Sequence, residues 1–127
     1  MAKQYGFGRS ERLKSRKQID ELFASGKSLV VFPIRVSYRF FHSEQVVLQA
    51  AVSVSKKYFK KAVDRNRIKR LLREAYRLQK PDFQETLKQK GKSGYLFFIY
   101  TDKGPADYRV IFKAMQDCLK RLEKNIG

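Results

Sequence analysis

The chain is poor in the side chains that most protein catalysts rely on. Its 127 residues include one histidine, His42, and one cysteine, Cys118. A single thiol excludes an internal disulfide and gives no sign of an oxidising compartment. A histidine-dependent triad needs a nucleophile and an orienting acid set around the imidazole; His42 falls in a predicted turn, and no such signature surrounds it. No Cys/His spacing suggests zinc, and no glycine-rich phosphate loop is present. Acids are scarce as well, 12 against 29 Lys and Arg. They are scattered, so the carboxylate cluster of a two-metal nuclease is missing. No apolar run approaches the roughly 20 residues of a membrane span. No apolar segment with a small-residue cleavage site follows the basic N-terminus, so no signal peptide is read. These absences lead to the expectation of a cytoplasmic protein with no catalytic residue, no metal site and no membrane contact of its own. A stand-alone hydrolase is disfavoured.

What is abundant is positive charge. The net charge is +17, which points to a polyanionic partner. With 43% hydrophobic residues the chain can still build a core, and its length suits one domain spanning 1–127. Met1 to Ser10 read as a loose basic arm, in which Tyr5 and Phe7 could dock on the body.

The charge is densest between Ser53 and Arg77. From Lys56 to Arg73 nine residues are Lys or Arg, against one acid, Asp64. Ile68, Leu71, Leu72 and Ala75 follow the i, i+3, i+4, i+7 spacing of an amphipathic helix. At about 100° per residue, Asn66, Lys69, Arg70, Arg73 and Arg77 fall on the opposite side, with Arg65 and Arg67 at the edges of the apolar stripe. A helix over Ala62 to Gln79 would present a cationic surface about 27 Å long. A solvated helix face usually mixes signs in i,i+4 pairs. This one has few acids to pair with, so a polyanion is the better explanation of it.

Elsewhere the chain reads as short alternating elements. Leu13, Ile19, Leu22 and Phe23 suggest a helix from about Ser15, as N-cap, to Ala24, ended by Ser25-Gly26. Core packing and a surface role are equally open for Ile19 and Phe23. A short strand is expected from Leu29 to Val31, interrupted by Pro33. Ile34, Val36, Tyr38 and Phe40 alternate with Arg35, Ser37, Arg39 and Phe41 along a second strand. After a turn at His42-Ser43-Glu44, Val46, Leu48, Ala50, Val52 and Val54 make one face of a third. The two longer strands are predicted to form an antiparallel hairpin. Its polar face would carry Arg35, Ser37, Arg39, Gln49, Ser53 and Ser55. Lys80-Pro81-Asp82 is expected to end the central helix, with a further helical turn or two over Phe83 to Lys90 and a flexible connector over Gly91 to Gly94. Tyr95 to Thr101 is apolar on both faces and reads as a covered strand. Pro105 is placed near the start of a last helix, Asp107 to Lys124. Its core face would be Val110, Ile111, Ala114, Met115, Cys118, Leu119 and Leu122, with Cys118 a buried small hydrophobe. The order α-β-β-β-α-β-α argues for an α+β fold with one mostly antiparallel sheet packed with helices.

Ser53-Val54-Ser55-Lys56-Lys57, followed by Ala62-Val63, Arg65-Asn66-Arg67-Ile68-Lys69-Arg70-Leu71-Leu72-Arg73-Glu74-Ala75, resembles the signature of the bacterial ribonuclease P protein subunit. Weaker similarity reaches upstream to Arg12-Leu13-Lys14 and Gly26-Lys27-Ser28. The resemblance implies a left-handed crossover between parallel strands and a non-catalytic subunit of an endonuclease whose active site is RNA. The partners it implies are that catalytic RNA and precursor tRNA, whose 5′ leader is removed. No obligate protein partner is evident, and magnesium is expected for the RNA-based holoenzyme rather than for the protein. By position, Arg65, Asn66, Arg67, Lys69, Arg70 and Arg73, together with the basic loop of Lys56, Lys57, Lys60 and Lys61, would bind the catalytic RNA. A cleft with Ile19, Phe23, Arg35, Ser37, Arg39, Ser53 and Ser55 would hold the leader. The chain departs from the family where aromatics are common, with Ile19 in the first helix and Ser37 on the strand. Backbone charge contacts from Arg35 and Arg39 are expected to replace stacking there. The reading from a different class is a structural RNA-binding protein of the ribosomal or assembly-factor kind.

Overall fold

The helix expected near the N-terminus forms as α1 (Arg16–Ser25), with the Ser15 side chain accepting from the Gln18 N–H at 3.4 Å. The structure, a computed structural model, describes residues 11–104 and 106–126. The expected basic arm, with Tyr5 and Phe7, and the placement of Pro105 lie outside the described residues. After α1 come β1 (Lys27–Val31), β2 (Ile34–His42), β3 (Leu48–Val54), α2 (Ala62–Lys90), β4 (Lys92–Tyr100) and α3 (Tyr108–Asn125). The fold is α+β, a four-stranded mixed sheet in the order β1-β2-β4-β3.

The predicted hairpin between the second and third strands does not form. β4 lies between them, antiparallel to β2 and parallel to β3. Alternation sets which side chains share a face but not which strand is the neighbour. The apolar strand takes the central place, because there both edges are hydrogen-bonded and both faces can be covered. The parallel β3–β4 pair needs a long crossover, and α2 supplies it. His42 accordingly ends β2 rather than sitting in a hairpin turn.

α2 also runs on past the predicted stop at Lys80-Pro81, to Lys90. Proline in a helix interior costs about 3 kcal/mol. Here the buried stripe does not break: Ile68, Leu72, Ala75, Tyr76, Phe83 and Leu87 are all buried along one side, together with Lys80, whose Nζ pairs with Glu11 at 2.7 Å. Packing of Phe83 and Leu87 against the sheet outweighs the missing N–H of Pro81. Gly91 then stops the helix in the left-handed region (φ 63°, ψ 33°), its N–H donating to the Leu87 and Lys88 carbonyls. The connector is therefore one residue, and Lys92-Ser93-Gly94 belong to β4.

The inner face of the sheet carries Ile34, Val36, Tyr38, Leu48, Ala50, Leu96, Phe98 and Tyr100, all buried. α2 and α3 cover it; the Tyr76 and Phe98 rings lie 5.4 Å apart. Cys118 is fully buried, as expected of a small hydrophobe. Val110, predicted on the core face of α3, is instead 50% exposed. It lies at the margin of the stripe, where α3 overhangs Val31 and Phe32 at the edge strand.

Candidate nucleic-acid interface

The first half of the candidate surface is one continuous segment. Lys56, Lys57, Lys60, Lys61, Asn66, Arg67, Arg70 and Arg73 are exposed, and Lys69 is half-buried. The N-cap of α2, Lys61, makes no side-chain capping hydrogen bond. Arg65 does related work from inside the helix: its guanidinium donates to the Phe59 and Lys60 carbonyls, both at 2.8 Å. Ser55 Oγ accepts from the Lys57 N–H at 3.2 Å, and the Phe59 N–H donates to the Ser55 carbonyl. The basic loop is thus a folded turn. Two ammonium groups stand over the Tyr58 ring, Lys57 at 5.7 Å and Lys103 at 5.0 Å from its centroid. Burial and then the Arg12 guanidinium lower the pKa of Arg73. On the far edge, Arg77 pairs with Glu74.

The second half is the outer face of the sheet. Cross-strand rows there read Val30–Arg35–Ile99–Ser53, Ser28–Ser37–Phe97–Ala51 and Arg39–Tyr95–Gln49. α1 lies across this face. Leu22 is 1% exposed, and the Gln18 side-chain amide donates to Tyr95 Oη at 2.9 Å. Gly26 lets the chain turn closely from α1 into β1. A Cβ there would stand 2.3 Å from the Leu22 carbonyl oxygen and 3.0 Å from that of Tyr38.

Phe23 is not a core residue. It is 51% exposed, with its ring edge-on to Phe97 at 5.0 Å. Ile19 is half-buried, Arg35 and Arg39 are exposed, and Ser53 and Ser55 are half-buried. Ser37 is only 5% exposed. It belongs to the floor of the face rather than to its accessible rim.

A family model described as Ribonuclease P matches residues 7–123. The chain belongs to the ribonuclease P protein family. A ribonuclease P protein component of Porphyromonas gingivalis is 40% identical over 123 residues, covering 96% of this chain and 90% of that protein. One from Borrelia duttonii is 29% identical over 103 residues, covering 81% and 83%. Among solved structures, the Staphylococcus aureus RNase P protein superposes with TM-score 0.69 at 21% identity, over 90% of this chain and 96% of that one. The Thermotoga maritima RNase P protein gives 0.64 at 26% identity, over 87% and 96%.

Sequence reasoning missed the aromatic members that β4 brings to the outer face, Tyr95 and Phe97. The Phe41 ring, expected on this side of β2, lies tilted against Tyr95 with centroids 5.0 Å apart. The signal was available: a strand apolar on both faces must place one of them against something. Alternation alone assigned that cover to no element. In the register found, Phe97 is the direct partner of Ser37. An aromatic ring therefore stands one strand away from where the family pattern made one desirable.

Proposed function

We propose that the chain is the protein subunit of ribonuclease P, and that it binds both the catalytic RNA and the 5′ leader of precursor tRNA. The observation that carries this reading is the adjacency of two unlike surfaces at the β3–α2 junction. An acid-poor cationic helix face begins where the outer face of the sheet ends, at Ser53 and Ser55. The helix suits an RNA backbone, because guanidinium forks match phosphate oxygens. In this role Lys56, Lys57, Lys60, Lys61, Asn66, Arg67, Lys69, Arg70 and Arg73 face the catalytic RNA. Arg65 acts through the loop it holds.

The face beneath α1 suits a few unpaired nucleotides. Phe23 and Phe97 offer apolar rings for a base, and Arg35 and Arg39 offer charge to its backbone. Ile19, Ser53 and Ser55 line the same face, and Ser37 supports it from below. Precursor tRNA carries the leader and mature tRNA does not, so this face is the part of the protein that would tell them apart.

Cleavage itself is assigned to the RNA, along with the magnesium that the holoenzyme needs. Among the described residues no three His, Cys, Asp or Glu side chains come together as a metal-binding group. The protein contributes binding and orientation.

The test is reconstitution. Pure protein added to a bacterial ribonuclease P RNA at low magnesium should restore precursor tRNA cleavage, while the protein without RNA should cleave nothing. Robust cleavage by RNA-free protein, surviving contamination controls, would overturn the assignment. Failure to bind or stimulate the RNA would favour a structural RNA-binding role.

A further inference from the structure

One acid interrupts the cationic segment. Asp64 stands in the first turn of α2, among the nine Lys and Arg residues from Lys56 to Arg73. A carboxylate repels the phosphates that the rest of this surface attracts. In the first turn it favours the helix dipole, a role that asks nothing of its surroundings. Yet Asp64 borders a cavity of about 280 Å³, lined also by Phe59, Arg67, Ile68, Lys103 and Ala106. Ile68 and Ala106 are buried, and Phe59 is half-buried with its ring 6.0 Å from that of Tyr100. These three make an apolar wall. Asp64, Arg67 and Lys103 are exposed, so they form a polar rim. A concave apolar wall with a few polar groups is the usual form of a ligand pocket.

The cavity is continuous with the cationic face. Arg67 belongs to both. Lys103 comes from the loop after β4, where Asp102 Oδ1 accepts from the Gly104 N–H at 3.0 Å. Its ammonium group stands over the Tyr58 ring, as does that of Lys57. The loop after β4 is thereby joined to the basic loop before α2.

The rim is selective in its chemistry. An ionised carboxylate only accepts hydrogen bonds, and it has two oxygens to do so. Guanine carries two neighbouring donors on its Watson–Crick edge, N1–H and the 2-amino group. Adenine and cytosine offer one amino group there beside an acceptor nitrogen, and the N3–H of uracil lies between two carbonyl oxygens. Unpaired RNA bases are read on this edge, while guanidinium and ammonium groups suit the attached phosphate.

We infer that the cavity between the start of α2 and the loop after β4 holds an unpaired guanosine of the catalytic RNA. Asp64 accepts from its Watson–Crick edge, and Arg67 and Lys103 meet its phosphate. The inference rests on the reading that the α2 face binds the catalytic RNA. It adds Lys103 to that interface and gives its one acid a base to read.

The experiment has two measurements on full-length protein. The first titrates it with GMP, IMP, AMP, CMP and UMP, following the backbone amide resonances of Asp64 and Lys103. GMP should bind about fivefold or more tightly than AMP, CMP or UMP, with IMP, which lacks the 2-amino group, in between. The second is a salt titration of binding to a bacterial ribonuclease P RNA transcript, with melting temperature measured alongside. Asp64→Asn raises the net positive charge, so bulk electrostatics alone would tighten every complex. The base-reading role requires the opposite: the GMP preference is lost and the Kd for the transcript rises, with the salt slope unchanged. Lys103→Gln should keep the GMP preference and make the log–log slope shallower by about 0.7–0.9, the loss of one phosphate contact. Equal binding of the five nucleotides by wild type would overturn the inference, as would a folded Asp64→Asn protein that binds the transcript as tightly as wild type or more tightly. Should Asp64→Asn fail to fold, the nucleotide order in wild type decides alone. A wild-type protein that prefers GMP but does not bind the transcript would instead overturn the functional reading, and with it the catalytic RNA as the source of the guanosine.

Discussion

The cationic face of α2 and the outer face of the sheet are neighbours built in different ways. Lys56 to Arg73 is one stretch of chain, and its charges point away from a stripe that Ile68 and Leu72 bury. The outer face is assembled from α1, β2, β3 and β4. Its central row exists only because β4 is inserted between β2 and β3. On the helix, then, the groups proposed to bind RNA are separate from the packing groups. On the sheet they are partly the same atoms, since Phe97 supports Phe23 and is also a ring proposed to meet a base. Charge can be removed from the first surface at little cost to the fold, whereas changes in the second mix affinity with stability.

The strongest challenge to that contrast is Leu22→Ala. Leu22 is the buried anchor of α1, and truncating a buried leucine costs about 2–5 kcal/mol. Melting temperature and the preference for precursor over mature tRNA should fall together, while the salt slope for the catalytic RNA stays. Retained leader preference in this variant would detach the outer face from leader binding.

Next come the two rings. Phe97→Ala and Phe23→Ala should each reduce the precursor-to-mature affinity ratio in the assembled holoenzyme, by up to about 1–3 kcal/mol for a lost stack. Phe97→Ala should also lower the melting temperature. Phe23→Ala should barely do so, because half of Phe23 is already in solvent. A lowered melting temperature with an unchanged ratio would return Phe23 to a packing role.

On the helix, Arg67→Ala and Arg70→Ala should each flatten the salt slope by about 0.7–0.9 with the melting temperature unmoved. Arg65→Ala should behave differently from both, since it removes two hydrogen bonds that hold the loop. It should lower melting slightly and weaken RNA binding through disorder of Lys56 to Lys61. Identical behaviour of the three arginines would erase the distinction between a contact and a support.

The smallest effect belongs to neither surface. Burial pushes the Cys118 thiol up to about 12 from an ordinary 9.0. Above the ordinary value the unfolded chain loses this proton first and the folded chain keeps it, so stability falls as pH rises; below that value the group contributes nothing. At pH 9.5 the difference is less than about 1 kcal/mol. Melting curves at pH 8 and 9.5 should separate less for Cys118→Ala than for wild type, with RNA affinity and leader preference equal in both.

How much was legible follows from how each part is held. The Ser15 cap, the amphipathic stripe of α2 and the core face of α3 around Met115 and Cys118 depend on neighbours three or four residues away, so local spacing carries them. Pro81 misled for the same reason: local rules end a helix there, and the burial of Phe83 and Leu87 that keeps it going is tertiary. The hairpin expectation failed because β2 and β3 have equally good alternation whichever strand lies between them. Arg65 could be recognised as basic but not as a clamp, since its partners are carbonyls whose positions come from the loop's path.

Charge, family, the cationic face and the element types, apart from the extent of α2 and the start of β4, were readable from the chain alone, because all of these are set by composition or by spacing within one segment. Tertiary structure alone decided the strand order, the ring of Phe97 beside Ser37, and the ion pair between Glu11 and the buried Lys80. Those contacts join residues far apart in the chain. They become favourable only when burial of the whole core offsets the entropy of closing the loops between them.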